Sequence, residues 1–236
     1  QPRRAYVYVP QSYGEDPERR YPVMYFFDGQ NIFFDDDAAF STSWGMEGYM
    51  LESERELILV AIECNREGSG RLEEYSPFTF ENSELGRIKG RGKQYMHWLI
   101  QELKPYIDET YRTLPDRENT MIAGSSMGGL MALYAATAFN SVFQRAACLS
   151  PSLWVAPGKI LELIARAHIR RDTCIYLDYG AKEMFNHAAN AEALFSTAHL
   201  LMTKRVNLTF RIVPDGTHCE ASWANQVPIF MECLDV

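Results

Sequence analysis

No apolar run in the sequence approaches the roughly 18 residues that read as a membrane-crossing helix. Basic residues are not in excess either: 23 Lys and Arg stand against 31 Asp and Glu, a formal net charge of −8. An acidic chain with a pI near 5.2 lacks the positive footprint that general nucleic-acid and anionic-membrane binders need. Neither nucleic acid nor membrane is therefore expected as a partner. The five cysteines (Cys64, Cys148, Cys174, Cys219 and Cys233) are odd in number and form no CxxC pair. That argues against a disulfide framework and a zinc site, and leaves the cysteines as small buried hydrophobes. Such usage points to a reducing compartment, so a cytoplasmic location is expected. No secretory leader is visible, although one removed before Gln1 is left open.

Several chemistries lack their signatures. There is no HExxH and no closely spaced His pair, so metal-assisted hydrolysis is disfavoured. Gly68-Ser69-Gly70 lacks a third glycine, and Gly90-Arg91-Gly92-Lys93 is not a phosphate-binding loop. No metal and no cofactor is expected. Three adjacent acids cannot all face one point, so Asp35-Asp36-Asp37 reads as a solvated or helix-capping run.

What is present is enough to fold. Hydrophobic residues make up 47% of the 236, and aromatics 13%, which excludes disorder. A chain of this length buries roughly 70% or more of its unfolded surface without a staple. Residues 4–9, 22–27, 57–62, 120–123, 145–149, 173–177 and 206–213 read as strands, several of them continuously apolar as in a parallel sheet covered on both faces. Between them, residues 94–111, 128–139, 159–168, 188–202 and 221–234 read as helices, the first with a kink or break at Pro105. Alternating strands and helices predict an α/β fold with a mostly parallel central sheet and helices on both faces. No repeat or linker divides the chain, so 1–236 is read as one domain. Residues 66–93, with five glycines and three aromatics but no periodicity, read as an ordered loop packed onto something.

The strongest chemical signal is Gly124-Ser125-Ser126-Met127-Gly128, a G-x-S-x-G that follows an apolar strand and opens a helix. That context makes a nucleophile elbow, with small residues two before and two after so that strand and helix can approach. Ser126 is the candidate nucleophile. A serine hydroxyl needs a base, and the base an orienting acid, in the chain order Ser, acid, His. His168, His187 and His199 fall in predicted helices or at a helix start. His218 instead follows a strand within a turn-rich loop, where a parallel sheet presents its active-site residues. The acid should come from the loop after residues 173–177, and Asp178 and Glu183 both qualify; spacing does not choose. Asp28-Gly29-Gln30 after an early strand lets the Gln30 amide, with the Met127 amide, form an oxyanion hole.

With these residues goes a family resemblance. The sequence resembles the Putative esterase family of α/β-hydrolases, which includes siderophore esterases, feruloyl and acetyl-xylan esterases, esterase D-like enzymes and mycolyltransferases. The similarity runs through Tyr21-Pro22-Val23-Met24-Tyr25, Asp28-Gly29-Gln30-Asn31, Glu74-Tyr75-Ser76-Pro77, Glu102-Leu103-Lys104-Pro105-Tyr106-Ile107, the elbow, Ser150-Pro151-Ser152-Leu153-Trp154 and Gly216-Thr217-His218-Cys219-Glu220. It implies an α/β-hydrolase fold with Ser126 as nucleophile, His218 as base, and Gln30 and Met127 as oxyanion donors. The family's Gly-x-x-acid arrangement falls on Gly180-Ala181-Lys182-Glu183 and implies Glu183 rather than Asp178 as the acid. The expected activity is serine carboxylic-ester hydrolysis through an acyl-enzyme on a small or medium ester, carbohydrate and aryl esters among them. The same residues would serve an acyltransferase, or the fold a non-catalytic binding protein. Tyr75, Phe78 and Trp154 are expected to wall the substrate pocket, a role that competes with simple packing.

Overall fold

The computed structural model describes residues 3–183 and 187–235. In chain order the elements are β1 (Ala5–Tyr8), β2 (Val23–Phe26), α1 (Met46–Ser53), β3 (Ile58–Ile62), α2 (Gly70–Glu74), β4 (Phe80–Asn82), β5 (Gly86–Ile88), α3 (Gly92–Trp98), α4 (Lys104–Thr110), β6 (Thr120–Ser125), α5 (Met127–Ala138), β7 (Arg145–Leu149), α6 (Pro157–Arg166), β8 (Cys174–Gly180), α7 (His187–Lys204), β9 (Asn207–Val213), α8 (Glu220–Ala224) and α9 (Val227–Cys233). Seven strands form one sheet in the order β1-β3-β2-β6-β7-β8-β9. Six run parallel, and β1 joins the edge antiparallel to β3. This is the expected mostly parallel α/β architecture.

The central strands are apolar on both sides because both sides are covered. On one face Tyr25, Val60 and Ile122 pack with Met96, Leu99, Leu130, Ile160 and Leu194 from the helices α3, α5, α6 and α7 and the turn after α3. On the other face Met24, Leu59 and Met121 meet Met46 and Met50 of α1 and Trp223, Phe230 and Met231 of α8 and α9. Among the described residues, no helix is long and apolar enough to cross a membrane.

Three local readings change. The segment 94–111 does not break at Pro105: a π turn, Leu99–Leu103, links α3 to α4. Proline has no amide to donate and crowds the carbonyl four residues back, and the wider turn just before it absorbs both effects. The ordered loop read over residues 66–93 contains regular structure of its own, α2 and the β4–β5 hairpin. The last helix is two pieces, α8 and α9, with Pro228 in the first turn of the second.

The order of the strands positions the site. From β2 the chain turns outward to β3, and from β6 it turns the opposite way to β7, although β2 and β6 are neighbours. Adjacent strands with diverging connections leave a crevice at their carboxyl ends, where α/β sheets bind ligands. The residues after β2 and β6 are Asp28-Gly29-Gln30 and Ser126.

Candidate active site

Ser126 joins β6 to α5 in a conformation few residues adopt, with φ 56° and ψ −120°. Such strain persists only where the surroundings hold it. Here the Ser126 amide donates to the Leu149 carbonyl at 2.9 Å, while its carbonyl accepts from Ser152 and Leu130, each at 3.0 Å. The turn also requires a bare backbone upstream: a β-carbon on Gly124 would lie 2.6 Å from the Gly128 carbonyl carbon. The small residues noted around the serine are therefore a packing necessity of the elbow.

Two further loops reach Ser126. His218 Nε2 is 2.9 Å from Ser126 Oγ, and His218 Nδ1 is 2.8 Å from Glu183 Oε2. The histidine side chain is 40% exposed and the glutamate 3%, so the acid end of this chain of contacts is dry and the serine end is open. Ser152 Oγ lies 3.3 Å from Ser126 Oγ on the other side. The structure thus brings together Ser126, Glu183 and His218, which are 92 residues apart at their extremes.

The two acids that spacing left open are placed differently. Asp178, on β8, is buried; its carboxylate accepts from the Ser150 amide and the Tyr176 hydroxyl, both at 2.9 Å. Burial pushes it up to about 6, opposed by those two donors and reinforced by the nearby Glu183 charge. Glu183, not Asp178, holds the hydrogen bond to His218.

The loop after β2 is equally constrained. Asp28 sits at φ 55°, and its buried carboxylate is gripped by a two-pronged contact from Arg71, Nε at 2.7 Å and Nη2 at 2.8 Å. Its amide donates to the Tyr75 hydroxyl at 3.0 Å. Within the turn the Asn31 and Ile32 amides are used on the Asp28 and Gly29 carbonyls. The Gln30 side chain turns away, its Oε1 accepting from the Cys64 amide at 3.2 Å. Met127 is the first residue of α5, so its amide has no intrahelical acceptor.

A cavity of about 620 Å³ opens at Ser126 and His218 and runs past Asp28, Gln30, Arg71, Glu220 and Trp223 to the exposed ring of Phe40. A smaller one of about 210 Å³ lies on the other side of Ser126, lined by Met127, Ser152, Trp154, Glu183 and Asn190. Trp154 lines this smaller cavity beside Ser126. Tyr75 does not: it is fully buried, packs edge-on against Phe27 and Tyr95, and buttresses the loop through its hydroxyl. Phe78 lines a separate cavity between the end of α5 and α6, with Lys159 and Leu163. The segment 66–93 still reaches the site through other residues: Arg66, Gly68 and Arg71 line the larger cavity, and Arg71 and Leu72 the smaller.

Other side chains fall into place around this centre. Cys64 lines the larger cavity, but burial pushes its thiol up to about 12, so it carries no thiolate to rival a serine. Asp35 accepts from the Ser43 amide and hydroxyl, and Asp37 pairs with Arg4, so the acidic run is split between two partners. Among the described residues, no group of three or more His, Cys, Asp or Glu is arranged to hold a metal ion. His168 and His199 are exposed and neither lines the two cavities at Ser126, and the His187 side chain lies outside the described residues. Sequence reasoning missed Arg71, which no local motif announces. It placed the 150–154 loop at the pocket wall without seeing the Ser150 hydroxyl on Glu183, and it did not single out Trp223.

Residues 1–229 match the family model described as Putative esterase. The chain belongs to the Putative esterase family. As a member it is an esterase, with the α/β fold of its class. Among curated proteins, an uncharacterised protein of Bacillus subtilis (strain 168), YbbA, is 25% identical over 77% of this chain and 69% of its own. Solved structures share the architecture at lower identity. An IroE-like serine hydrolase from Shewanella oneidensis has a TM-score of 0.80 at 17% identity, covering 99% of this esterase and 76% of that chain. A ferulic acid esterase has a TM-score of 0.69 at 20% identity, with 98% and 93% covered. The enterobactin esterase of Shigella flexneri has 0.73 at 19%, and this esterase spans 55% of its length.

Proposed function

We propose that this esterase is a serine carboxylic-ester hydrolase that works through an acyl-enzyme, with Ser126 as nucleophile, His218 as general base and Glu183 as the orienting acid. The observation that carries the reading is the unbroken contact chain from Ser126 Oγ to His218 Nε2 and from His218 Nδ1 to Glu183 Oε2, at 2.9 and 2.8 Å. As Ser126 Oγ bonds to the ester carbonyl carbon, its proton passes to His218 and the carbonyl π pair moves to oxygen. The amides of Gln30 and Met127 receive that oxyanion, a contribution worth about 10²–10³ in rate per donor. Collapse breaks the bond to the alcohol oxygen, which takes the proton from His218 and leaves an acylated serine. Water, deprotonated by His218, then attacks the acyl carbon; the acid departs and Ser126 regains its proton. Glu183 holds the imidazole in one orientation and stabilises its charged form throughout.

The larger cavity combines charged and amide side chains with one exposed ring, which suits a small or medium ester with a polar alcohol or acyl part. Esters of ferulic acid and of N-(dihydroxybenzoyl) amino acids, acids for which one similar solved esterase is named and with which another is complexed, are the first candidates. The test is hydrolysis of p-nitrophenyl esters from acetyl to long acyl, beside methyl ferulate, by the wild type and Ser126→Ala. Turnover by the wild type and its loss in the variant is the expected result, and the chain-length profile sizes the acyl pocket. Equal turnover by both proteins would overturn the assignment. Product that forms only when an alcohol acceptor is added would move it to acyl transfer.

A further inference from the structure

Only one of the two Glu183 carboxylate oxygens faces His218. The other, Oε1, lies 2.5 Å from Ser150 Oγ and 3.0 Å from the Gly180 amide. Ser150 has a single hydroxyl proton, and Trp223 settles its direction. The indole Nε1–H can only donate, and it donates to Ser150 Oγ at 3.1 Å, so the Ser150 proton is left to point at Glu183. Ser150, Trp223 and Glu183 are 3%, 5% and 5% exposed, so bulk water does not compete. Ser150 is itself pinned, at φ 42° with its amide on Asp178 Oδ1. The Trp223 ring then packs edge-on against His218, centroids 5.0 Å apart at 84°. The contacts close a ring: His218 to Glu183, Glu183 to Ser150, Ser150 to Trp223, Trp223 back to His218.

We propose that Ser150 and Trp223 are positioning residues of this active site, fixing the plane of the Glu183 carboxylate and the face of the His218 imidazole together. This rests on the reading of Ser126, Glu183 and His218 given above. With Oε1 held by the Ser150 hydroxyl and the Gly180 amide, the carboxylate cannot swing away from the histidine, and part of its charge is taken up on the far oxygen. Among the described residues, the charged and titratable groups that bear on the pair include Asp178 and Tyr179 beside Glu183, Glu220 beside His218, and Arg71 of α2, which lines both cavities with His218.

The test is the pH profile of kcat and kcat/KM on a p-nitrophenyl ester for the wild type, Ser150→Ala, Ser150→Gly and Trp223→Phe. Both Ser150 variants should lower kcat about tenfold or more with KM little changed. Their acid limb in kcat/KM should move to higher pH, because a carboxylate relieved of its donor favours the protonated imidazole more strongly. Trp223→Phe keeps a ring against His218 but removes the indole proton, so its limb should move the same way by less. The double variant Ser150→Ala/Trp223→Phe should be no worse than Ser150→Ala, since the two act through one hydroxyl. Glycine relieves the positive φ and alanine does not. A wild-type profile for Ser150→Gly beside a damaged Ser150→Ala would place the effect in the backbone and overturn the proposal. An unmoved acid limb in a folded Ser150→Ala would also overturn it. Should both Ser150 variants fail to fold by circular dichroism, an unmoved limb in Trp223→Phe decides against it. Turnover that survives Ser126→Ala would instead overturn the underlying triad reading.

Discussion

Gly180 and Gly216 meet backbone to backbone: a β-carbon on Gly180 would lie 2.4 Å from the Gly216 carbonyl oxygen. That same oxygen accepts the Lys182 amide at 2.9 Å, and the Val213 carbonyl accepts the amides of Ala181 and Gly216. The loop carrying Glu183 and the loop carrying His218 are thereby joined before their side chains touch. The backbone, not the side-chain hydrogen bond alone, sets the 2.8 Å contact between them.

Gly180→Ala should therefore separate the two loops. Overpacking at such a contact costs about 1–3 kcal/mol, and a displacement near 1 Å at the histidine costs about 10² in kcat. Thermal unfolding and ester turnover, measured on the same preparation, check both. A variant with wild-type kcat would mean that the loops are not coupled in this way.

The Arg71 grip on Asp28 gives a second prediction. Asp28 is 4% exposed, so Arg71→Met leaves a buried carboxylate without its partner. The expected loss is about 2–4 kcal/mol in urea unfolding. Activity should fall as well, because the Gln30 amide hangs from the same turn. Adding Asp28→Asn should recover much of the stability, since it removes the charge that needed pairing. A single variant with an unchanged midpoint would contradict the role given to this pair.

Asp178 makes stability depend on pH in a direction opposite to that of a salt-bridged acid. Burial raises it from the ordinary carboxylate range to about 6 in the folded state. The folded protein therefore binds this proton more tightly than the unfolded chain. Its contribution is fully present below the unfolded value, near pH 4, and is lost as pH rises through about 6. Relative to Asp178→Asn, the wild type should lose stability between about pH 4 and pH 6.5, with parallel curves outside that window. Melting temperatures of both proteins across this range decide it, and parallel curves throughout would contradict it.

The legibility of this site in the sequence follows a physical line. Ser126 was readable because a strained turn between strand and helix needs glycines at fixed offsets, and that need is local. His218 was readable because a lone histidine in a turn after a strand has few other reasons to be there. Spacing did not choose between Asp178 and Glu183, since both lie near the strand end; the family's Gly-x-x-acid arrangement pointed to Glu183, and the close approach of Gly180 to Gly216 is what brings its loop beside that of His218. Likewise Arg71 and Asp28 are 43 residues apart, and no periodicity links them. Tyr75 and Phe78 misled because aromatic residues in a glycine-rich stretch look the same whether they wall a pocket or fill a core. The mostly parallel sheet was implicit in the alternation of elements, whereas its strand order, the antiparallel β1 and the π turn before Pro105 depend on long-range pairing and local crowding.

The most direct test of the central claim is to treat the folded protein with a fluorophosphonate and locate the adduct by peptide mass spectrometry. A serine activated by His218 attacks phosphorus, expels fluoride and becomes phosphonylated. One adduct is expected, on the peptide containing Ser126, with its near disappearance in His218→Ala. No adduct on a folded wild type, an adduct on another serine, or equal labelling in His218→Ala would contradict it.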